Sequence, residues 1–483
     1  MRLSDETLGH LPETVARPAY DRTAVKRGVV HLGIGAFHRA HQAAYFEAAL
    51  AAGDLRWGIT SVSLRSGSVR DQLDPQDCLY ALVVREGEHR TTSIIGAEQA
   101  VLVAPENPQA VIDALAHPQA RIVTLTITEK GYKLDRAAGT LLADDPDVAA
   151  DCASLAAPRT APGFLAAGLA ARRAGGLGPL TVISCDNLPH NGKLLREAVL
   201  AVARVHDPAL ADWIAAEVAF PASMIDRIVP ATTPEDIAAL AADLGVDDRA
   251  MVKTEPFTQW VIEDHFVTER PDFAALGVQL TEAVAPWEDA KLRLLNGAHS
   301  GIAYLGGLAG DAFVHEFVAT PAGRGFVEAL WDEAQTTLNP PDGLDIAAYR
   351  VDLMGRFANS ALQHRTRQIA MDGSQKLPQR LLATIAERRA AGQSADALAL
   401  AVAAWMRWQA GRTDAGERFP VDDPAAAQLG ALSAGAADAA ARVDALLGFF
   451  GFAADADLRQ TLVAHLHALE QDGARAAIGR YGS

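Results

Sequence analysis

The sequence predicts an α/β fold, with a mostly parallel sheet followed by a mostly α-helical C-terminal domain. Short apolar segments that end in polar loops alternate with helical patterns through the first 285 residues. From Trp287 onward the pattern changes to long helical periodicities without a convincing strand. At 483 residues the chain is long enough for more than one core, so we expect two domains, residues 1–285 and 286–483.

Composition excludes several classes of protein. The net charge of −17 argues against nucleic acid or an anionic membrane surface as a partner. No apolar run approaches 18 residues, and Met1–Glu13 is polar, so we expect neither a membrane span nor a signal peptide, and a cytoplasmic location. The three cysteines Cys78, Cys152 and Cys185 are scattered, which indicates neither a disulfide framework nor a cysteine zinc site.

A glycine turn opens the chain's first β/α unit. Residues 28–35 are typical of a buried strand that ends in Gly33-Ile34-Gly35, and a helix is predicted from about His38 to Ala52. Glycines at such a turn let the backbone approach a pyrophosphate, and the helix N-terminus favours the negative charge. The third glycine of the usual pattern is replaced by His38. The turn therefore predicts a Rossmann-type dinucleotide-binding site with one departure from the motif.

The second strand bears on the choice of nucleotide. A carboxylate at the end of Trp57–Leu64 would select NAD by accepting from the ribose 2′-hydroxyl. The strand runs instead into Arg65, with Arg70 following. Either arginine could contact a phosphate or be merely solvated, so NADP is not excluded.

Two later strands are predicted to carry polar loops to the same edge of the sheet. Arg121–Thr128 leads into Glu129–Tyr132, and Leu180–Ser184 leads into Cys185–Pro189. Ligands gather at the carboxyl ends of strands in open α/β sheets. Asn187 in the second loop is either part of such a site or a cap of the following helix.

Other elements are assigned from periodicity and capping signals. We predict a strand at Arg227–Pro230, a capped helix start at Thr232–Glu235, and a final strand of the sheet at Glu255–Glu263. Helices of the first domain are predicted at 110–116, 162–174 and 194–205. Those of the second are predicted at 287–309, 323–337, 345–358, 377–391, 395–410, 435–450 and 456–470.

The helix that opens the second domain carries three polar residues of distinct chemistry. At about 100° per residue, Lys291, Asn296 and His299 fall at roughly 0°, 140° and 80°, within less than half of the circumference. They indicate either a proton-transfer and oxygen-binding site or a solvated helix face. Polar strand ends in one domain and this triplet in the other favour a single small-molecule site between the domains.

Three histidines, His31, His38 and His41, surround the glycine turn. Their spacing is not a standard metal signature, and on a strand, turn and helix we do not expect them to converge. We predict no metal.

Four motifs in order resemble the polyol-specific long-chain dehydrogenase/reductase family, which includes mannitol 2-dehydrogenases and fructuronate reductases. They are Gly33–His41, Thr126–Tyr132, Ser184–Pro189 and the Lys-x4-Asn-x2-His segment Lys291–His299. The resemblance extends over nearly the whole chain, including Asp372–Pro378.

The resemblance implies zinc-independent hydride transfer between a nicotinamide and a secondary alcohol or ketone. Lys291 would be the general acid/base, with Glu288 as its proton relay. Asn187 and Asn296 would hold the reacting oxygen, and His299, Asp226 and Lys376 would bind other substrate oxygens. A lysine of normal pKa, about 10.4, is a poor base at neutral pH, so burial and a neighbouring cation such as Lys376 would have to lower it. The implied cofactor-binding residues are Gly33, Gly35, Ala36, Phe37, His38, Arg39, Arg65, Thr128, Glu129 and Asn187.

Departures from the mannitol dehydrogenase pattern point to a sugar acid. Lys130 stands where those enzymes typically have glycine, and Gln368 where they have arginine. The segment from His364 to Arg380 resembles the fructuronate reductase branch, although Arg367 replaces its usual tryptophan. Lys130, Arg365 or Arg367 could bind a uronate carboxylate.

We therefore expect a monomeric NAD-dependent enzyme that interconverts D-fructuronate and D-mannonate. The alternatives are a D-mannitol 2-dehydrogenase, a D-arabinitol dehydrogenase, and a nucleotide-binding regulator without turnover. The last is disfavoured because a pure binder needs no proton-transfer lysine.

Overall fold

The computed structural model describes residues 1–135 and 140–482. The chain forms two compact units, Met1–Ala285 and Pro286–Ser483. The predicted combination of a parallel α/β sheet with a helical C-terminal part is confirmed. No helix in the described parts of the chain is long and apolar enough to cross a membrane.

The first unit is built on a five-stranded parallel sheet. Its strands, together with those of the smaller sheets, are β1 Val29–Leu32, β2 Ile59–Ser63, β3 Tyr80–Glu86, β4 His89–Ile95, β5 Glu98–Val103, β6 Ile122–Leu125, β7 Leu134–Asp135, β8 Thr140–Leu141, β9 Thr181–Ser184, β10 Ser223–Asp226, β11 Val252–Thr254, β12 Gln259–Glu263 and β13 Gln279–Thr281. The strand order of the main sheet is β5-β2-β1-β6-β9. Strands β1, β6 and β9 are buried along their whole length, as expected for a sheet covered on both faces.

Helices cover both faces of this sheet. They are α1 Ala36–Ala40, α2 Gln42–Ala51, α3 Ser68–Leu73, α4 Pro108–Leu115, α5 Pro146–Ala153, α6 Ala161–Ala174, α7 Asn191–His206, α8 Pro208–Glu217 and α9 Pro234–Leu244. One apolar cluster joins the sheet to α4, α6, α7 and α8. A second cluster includes α2 and the buried rings of Trp57 and Trp260.

The predicted helix at 38–52 is interrupted. It begins earlier, at Ala36, and breaks at His41, whose φ of −121° and ψ of −85° leave the helical region. The His41 ring is buried and hydrogen-bonds through Nε2 with the carbonyl oxygen of Gln259, 2.8 Å away. Tertiary contact therefore fixes a residue that periodicity alone would place in a continuous helix.

Two strand predictions are wrong. Arg227–Pro230 is irregular, and the strand is the preceding segment β10. The predicted final strand is confined to Gln259–Glu263, and it belongs to a separate sheet of order β10-β12-β13 rather than to the main one. A further sheet, β11-β3-β4, contains a hairpin that the sequence analysis did not assign.

In the second unit the described residues form helices and no strand. The helices are α10 Ala285–Ala290, which starts at the last residue of the first unit, α11 Gly297–Ala309, α12 Val314–Ala319, α13 Pro321–Gln335, α14 Ile346–Ala358, α15 Thr366–Ile369, α16 Gly373–Leu377, α17 Ala383–Ala390, α18 Asp396–Trp408, α19 Ala426–Gly435, α20 Ala439–Phe449, α21 Ala456–Gln471 and α22 Gly473–Gly479. Two π-helical segments, Lys291–Asn296 and Pro378–Leu382, pack against each other. Helix α11 is buried from Gly297 to Leu308 and packs against α15, α18 and α22, so it forms the centre of this unit.

Candidate active site

The glycine turn after β1 lies against the loop after β6. Gly33 has a φ of +102°, and a Cβ atom there would clash with the carbonyl oxygen of Thr126. Glycine is therefore required for both backbone conformation and close approach. A Cβ at Gly35 would meet only the carbonyl oxygen of Gly33, 3.9 Å away, so this side of the turn is open. The close approach of a pyrophosphate would need this open side of the turn.

The loop after β6 is held by the carboxylate of Asp186, a residue that the sequence analysis did not single out. It accepts hydrogen bonds from the backbone N–H groups of Ile127 (3.2 Å) and Thr128 (2.8 Å) and from the hydroxyl of Tyr132 (2.9 Å). Burial raises the pKa of Asp186, and these hydrogen bonds oppose that shift. They also fix Thr128 at a φ of +63°, which is unusual for a β-branched residue.

The loop that carries Asn187 is fixed to strand β10 by Asn191. The amide of Asn191 donates to the carbonyl oxygens of Asp186 (3.0 Å) and Ser223 (2.7 Å), and its oxygen accepts from the Ser223 N–H (3.1 Å). Asp226 is buried at the end of that strand, whereas Asn187 is exposed. Helix α7 has His190 as its N-cap, so Asn187 does not cap it. The structure thus places the exposed Asn187 at the carboxyl edge of the sheet.

Two further loops of the first unit that were predicted to line the ligand site lie at the surface. Thr128, Glu129 and Lys130 are exposed in the loop after β6, and Arg65 is exposed after β2. Arg70 is held by ion pairs with Asp71 and Glu106. Of the two arginines considered for a phosphate, Arg65 is the one that the structure leaves exposed.

His31 and His38 do converge, contrary to the sequence analysis. Their rings stack with centroids 3.3 Å apart, and both are fully buried. His31 hydrogen-bonds with Thr124 Oγ1 (2.8 Å) and Thr126 Oγ1 (3.0 Å), and His38 Nε2 lies 2.8 Å from Glu98 Oε1. The described residues contain no group of three metal-ligating side chains. The two rings form a polar layer beneath the glycine turn.

The side chains of His38 and Arg39 interact with other residues in the interior of the protein. His38 pairs with Glu98, and Arg39 donates to the carbonyl oxygen of Ala250 and lies 5.7 Å from the centre of the Tyr80 ring. Both are buried. Any contact of these two residues with a nucleotide would therefore come from the backbone.

Replacing Glu98 with glutamine is expected to change how stability depends on pH. Burial raises the pKa of Glu98 from 4.5 to about 8. Between these values the folded protein keeps a proton that the unfolded chain releases, so stability is lost as pH rises, by at most about 1.4 kcal/mol per pH unit. Glu98→Gln should remove this slope in urea unfolding measured from pH 5 to 8. Equal slopes of stability against pH in the variant and the wild type would contradict this prediction. The control is Glu217→Gln, at an exposed position.

The second unit presents Lys291 from a π-helix, so the prediction of a regular α-helix is wrong at Lys291–Asn296. The N–H of Gly297 bonds to the carbonyl oxygen of Leu292, five residues back, and the Trp331 indole donates to the carbonyl oxygen of Leu294 (2.9 Å). Because a π-helical turn is wider, Lys291 and Asn296, five residues apart, are separated by a smaller angle around the helix axis than the predicted 140°. Such π segments are frequent at functional sites.

All three polar residues of this segment are buried. Lys291 and Asn296 are 8% exposed and His299 is 7% exposed. The interpretation as a solvated helix face is therefore wrong. Glu288, on the preceding turn in α10, is half-buried.

The surroundings of His299 are cationic. Burial lowers the pKa of His299 well below its ordinary value, and the positive charges of Arg380, Arg356 and Lys291 act in the same direction, as does His364. Arg356 is itself buried on α14. No spacing in the sequence indicates a role for Arg356, Arg380 or His364 beside His299, because they come from separate elements.

The predicted carboxylate-binding arginines lie elsewhere on this unit. Arg365 is exposed over the ring of Phe313 (5.2 Å), and Arg367 is exposed and paired with Glu417 (2.9 Å). Lys376 Nζ donates to the carbonyl oxygen of Met371, 2.6 Å away. Arg365, Arg367 and Lys376 thus all make contacts within the protein.

A parallel sheet with an open glycine turn, followed by a helical unit with a buried lysine, defines a two-unit dinucleotide-binding α/β protein. Comparison with known proteins agrees. The sequence model of the mannitol dehydrogenase Rossmann domain matches residues 27–275, and that of the mannitol dehydrogenase C-terminal domain matches residues 283–471. The chain belongs to the mannitol dehydrogenase family and is an oxidoreductase of that family.

The relatives differ in the substrate that their names state. The chain is 43% identical to D-mannonate oxidoreductase of Escherichia coli K12, over 96% of this chain and 97% of the relative. It is 41% identical to a mannitol 2-dehydrogenase of Pyrenophora tritici-repentis, over 100% of this chain and 86% of the relative. A structure of Pseudomonas fluorescens mannitol 2-dehydrogenase in ternary complex with NAD and D-mannitol is 38% identical, with a TM-score of 0.87 over 99% of both chains.

Proposed function

We propose that this protein is an NAD(H)-dependent fructuronate reductase that interconverts D-fructuronate and D-mannonate and works as a monomer. The observation that carries the proposal is that the positive charges of Lys291, Arg356 and Arg380 act on His299, and that Arg380 donates to the hydroxyl of Ser300, the next residue in the chain (3.4 Å). A substrate with a carboxylate is stabilised by such surroundings, whereas an uncharged polyol gains little from them. The 43% identity to D-mannonate oxidoreductase supports the same substrate.

The glycine turn fits the proposed nucleotide. Gly33 and the open side of Gly35 would receive the pyrophosphate, together with the backbone of Ala36, Phe37, His38 and Arg39. Thr128, Glu129 and Asn187 are exposed at the same edge of the sheet. Arg65 would face the adenosine end and leaves NADP binding open. When bound, the reduced nicotinamide supplies the hydride.

The chain's own residues would manage the proton and the charge. In the reducing direction, Lys291 as ammonium donates a proton to the substrate carbonyl oxygen. Asn187 and Asn296 donate N–H groups to that oxygen and stabilise the negative charge that develops on it. Glu288, which is half-buried, relays protons between Lys291 and solvent. Asp226, His299 and Lys376 bind the remaining substrate oxygens, and Lys130, Arg365 and Arg367 are candidates for contacts with the carboxylate.

The second candidate is a mannitol 2-dehydrogenase. It is favoured by the likeness to the complex of P. fluorescens mannitol 2-dehydrogenase with NAD and D-mannitol. The same groups would act on fructose and mannitol, because the chemistry at the reacting carbon is unchanged. The two functions differ only at the far end of the substrate.

Steady-state assays with D-fructuronate and D-fructose, each with NADH and NADPH, test the proposal. We expect kcat/KM for D-fructuronate with NADH to exceed that for D-fructose by about a hundredfold, because a charged hydrogen-bonded contact contributes roughly 1.5–3 kcal/mol. A preference for D-fructose would contradict the proposal and favour the second candidate.

A further inference from the structure

We propose that His364, together with His299, binds the carboxylate of the sugar-acid substrate and thereby sets the preference for that substrate over a polyol. The inference rests on the proposed function and names a residue for it. Lys130, Arg365 and Arg367 were the candidates for binding this carboxylate. The inference assigns that role to a neutral side chain instead.

The backbone fixes the direction of His364. On one side, Gln363 adopts a left-handed φ of +46°. The carbonyl oxygen of His364 accepts from the Val314 N–H (3.0 Å), and the following Thr366 N–H donates to the carbonyl oxygen of Ala312 (3.0 Å). This loop is therefore held on both sides of His364. Its imidazole meets that of His299 edge-on, with centroids 5.1 Å apart and planes at 84°.

The two rings present polar atoms that lack a partner. His299 Nε2 and His364 Nδ1 are both buried, and neither has a hydrogen-bond partner within the described residues. A second ring beside His299 is that of Phe357, 4.8 Å away, which offers no hydrogen-bonding atom. A buried polar atom without a hydrogen bond is destabilising, so two of them on neighbouring rings indicate a ligand that supplies oxygen atoms.

The charges around the two rings indicate which oxygen-containing group of the ligand binds there. Burial, aided by Arg356, lowers the pKa of His364 to about 4, and the pKa of His299 is also low, so both rings are neutral at neutral pH. A neutral imidazole has one N–H and one bare nitrogen. With the protons on Nε2 of His299 and Nδ1 of His364, each ring has one N–H group to donate to a carboxylate oxygen. The surrounding cations favour that anion over a hydroxyl.

The neighbouring arginines are less suited to this role. Arg365 and Arg367, one and three residues after His364 in sequence, are exposed, and Arg367 is engaged with Glu417. The ring of His364 lies instead edge-on to the ring of His299.

The test compares three substitutions of His364 on two ketoses that differ at one end, D-fructuronate and D-fructose, with NADH. His364→Leu should raise KM for D-fructuronate about tenfold to hundredfold, with kcat and the D-fructose constants changed less than about threefold. His364→Asn, whose amide can stand in for Nδ1, should retain most of the wild-type KM. In His364→Gln the amide lies farther from the backbone than Nδ1 does, so this variant should behave like His364→Leu. It replaces His364→Leu in the test if the leucine variant does not fold.

Controls separate this inference from the proposed function. NADH affinity should be unchanged in every variant, and the exposed His467→Leu should match the wild type. If the His364 variants lost activity equally on both ketoses, the role of His364 would be overturned and the proposed function would stand. The same holds if activity on D-fructuronate fell in Arg365→Gln or Arg367→Gln but in neither His364→Leu nor His364→Gln. A wild-type enzyme that prefers D-fructose would overturn both the proposed function and this inference.

Discussion

Replacing Lys291 with methionine is expected to abolish turnover while NADH affinity stays within about twofold of the wild type. General acid–base catalysis contributes about 10²–10⁴ in rate, and the loss of the ammonium also removes charge stabilisation of the reacting oxygen. Lys291 is 8% exposed, and methionine keeps the volume of its buried stem, so the helix should persist. Single-turnover kinetics and NADH fluorescence titration measure the two effects separately.

The matched control is Lys193→Met, on α7. Its side chain is 76% exposed, so the loss of a positive charge there should change neither kcat nor NADH affinity. Turnover by Lys291→Met within tenfold of the wild type would remove Lys291 from the role of general acid. A parallel loss of NADH binding would indicate misfolding rather than a chemical role.

The second large effect is expected at the glycine turn, where two alanine substitutions should both weaken NADH binding but only one should lower the free energy of unfolding. Gly33→Ala places a Cβ atom against the carbonyl oxygen of Thr126 and forces a left-handed φ on alanine, at a cost of about 1–2 kcal/mol for the conformation alone. The turn must move, so we expect a lower free energy of unfolding, by more than about 2 kcal/mol once the clash is included, together with a loss of NADH binding.

Gly35→Ala is the comparison. A Cβ there meets only open space and the φ of −95° suits any residue, so urea unfolding should match the wild type within about 0.5 kcal/mol. If the open side receives the pyrophosphate, NADH affinity should still fall by about tenfold or more. Unchanged NADH affinity in Gly35→Ala would show that the nucleotide binds elsewhere. Wild-type stability in Gly33→Ala would show that the turn is not constrained as described.

The parts of the fold that the sequence predicted are those governed by local chemistry. Gly33 and Gly35 mark the turn because only glycine fits there, and the Thr233 capping box marks the start of α9. The missed hairpin of β3 and β4 turns at Gly87, whose φ is +55°. Two β-branched runs around that glycine were the signal that could have found it.

The candidate site was predictable in its residue types and less so in its geometry. Over the six residues Lys291–Asn296, a π-helical and an α-helical pattern of apolar positions cannot be told apart. The stacking of His31 on His38 and the approach of His364 to His299 depend on tertiary packing. Asp186 and Asn191 act through backbone groups of other loops, and no spacing in the sequence indicates that.

The π-helical turn at Lys291–Asn296 also bears on how this protein can change in length. A π-helical turn holds about one residue more than an α-helical turn, so shortening the segment by one residue would allow an ordinary α-helical turn while the later side chains of α11 keep roughly their present directions. A one-residue deletion elsewhere in the helix would instead rotate every later side chain by about 100°. The segment Lys291–Asn296 is therefore the place in this helix where a change of one residue in length is best accommodated, and an alignment gap there in a related chain does not by itself signal a different activity.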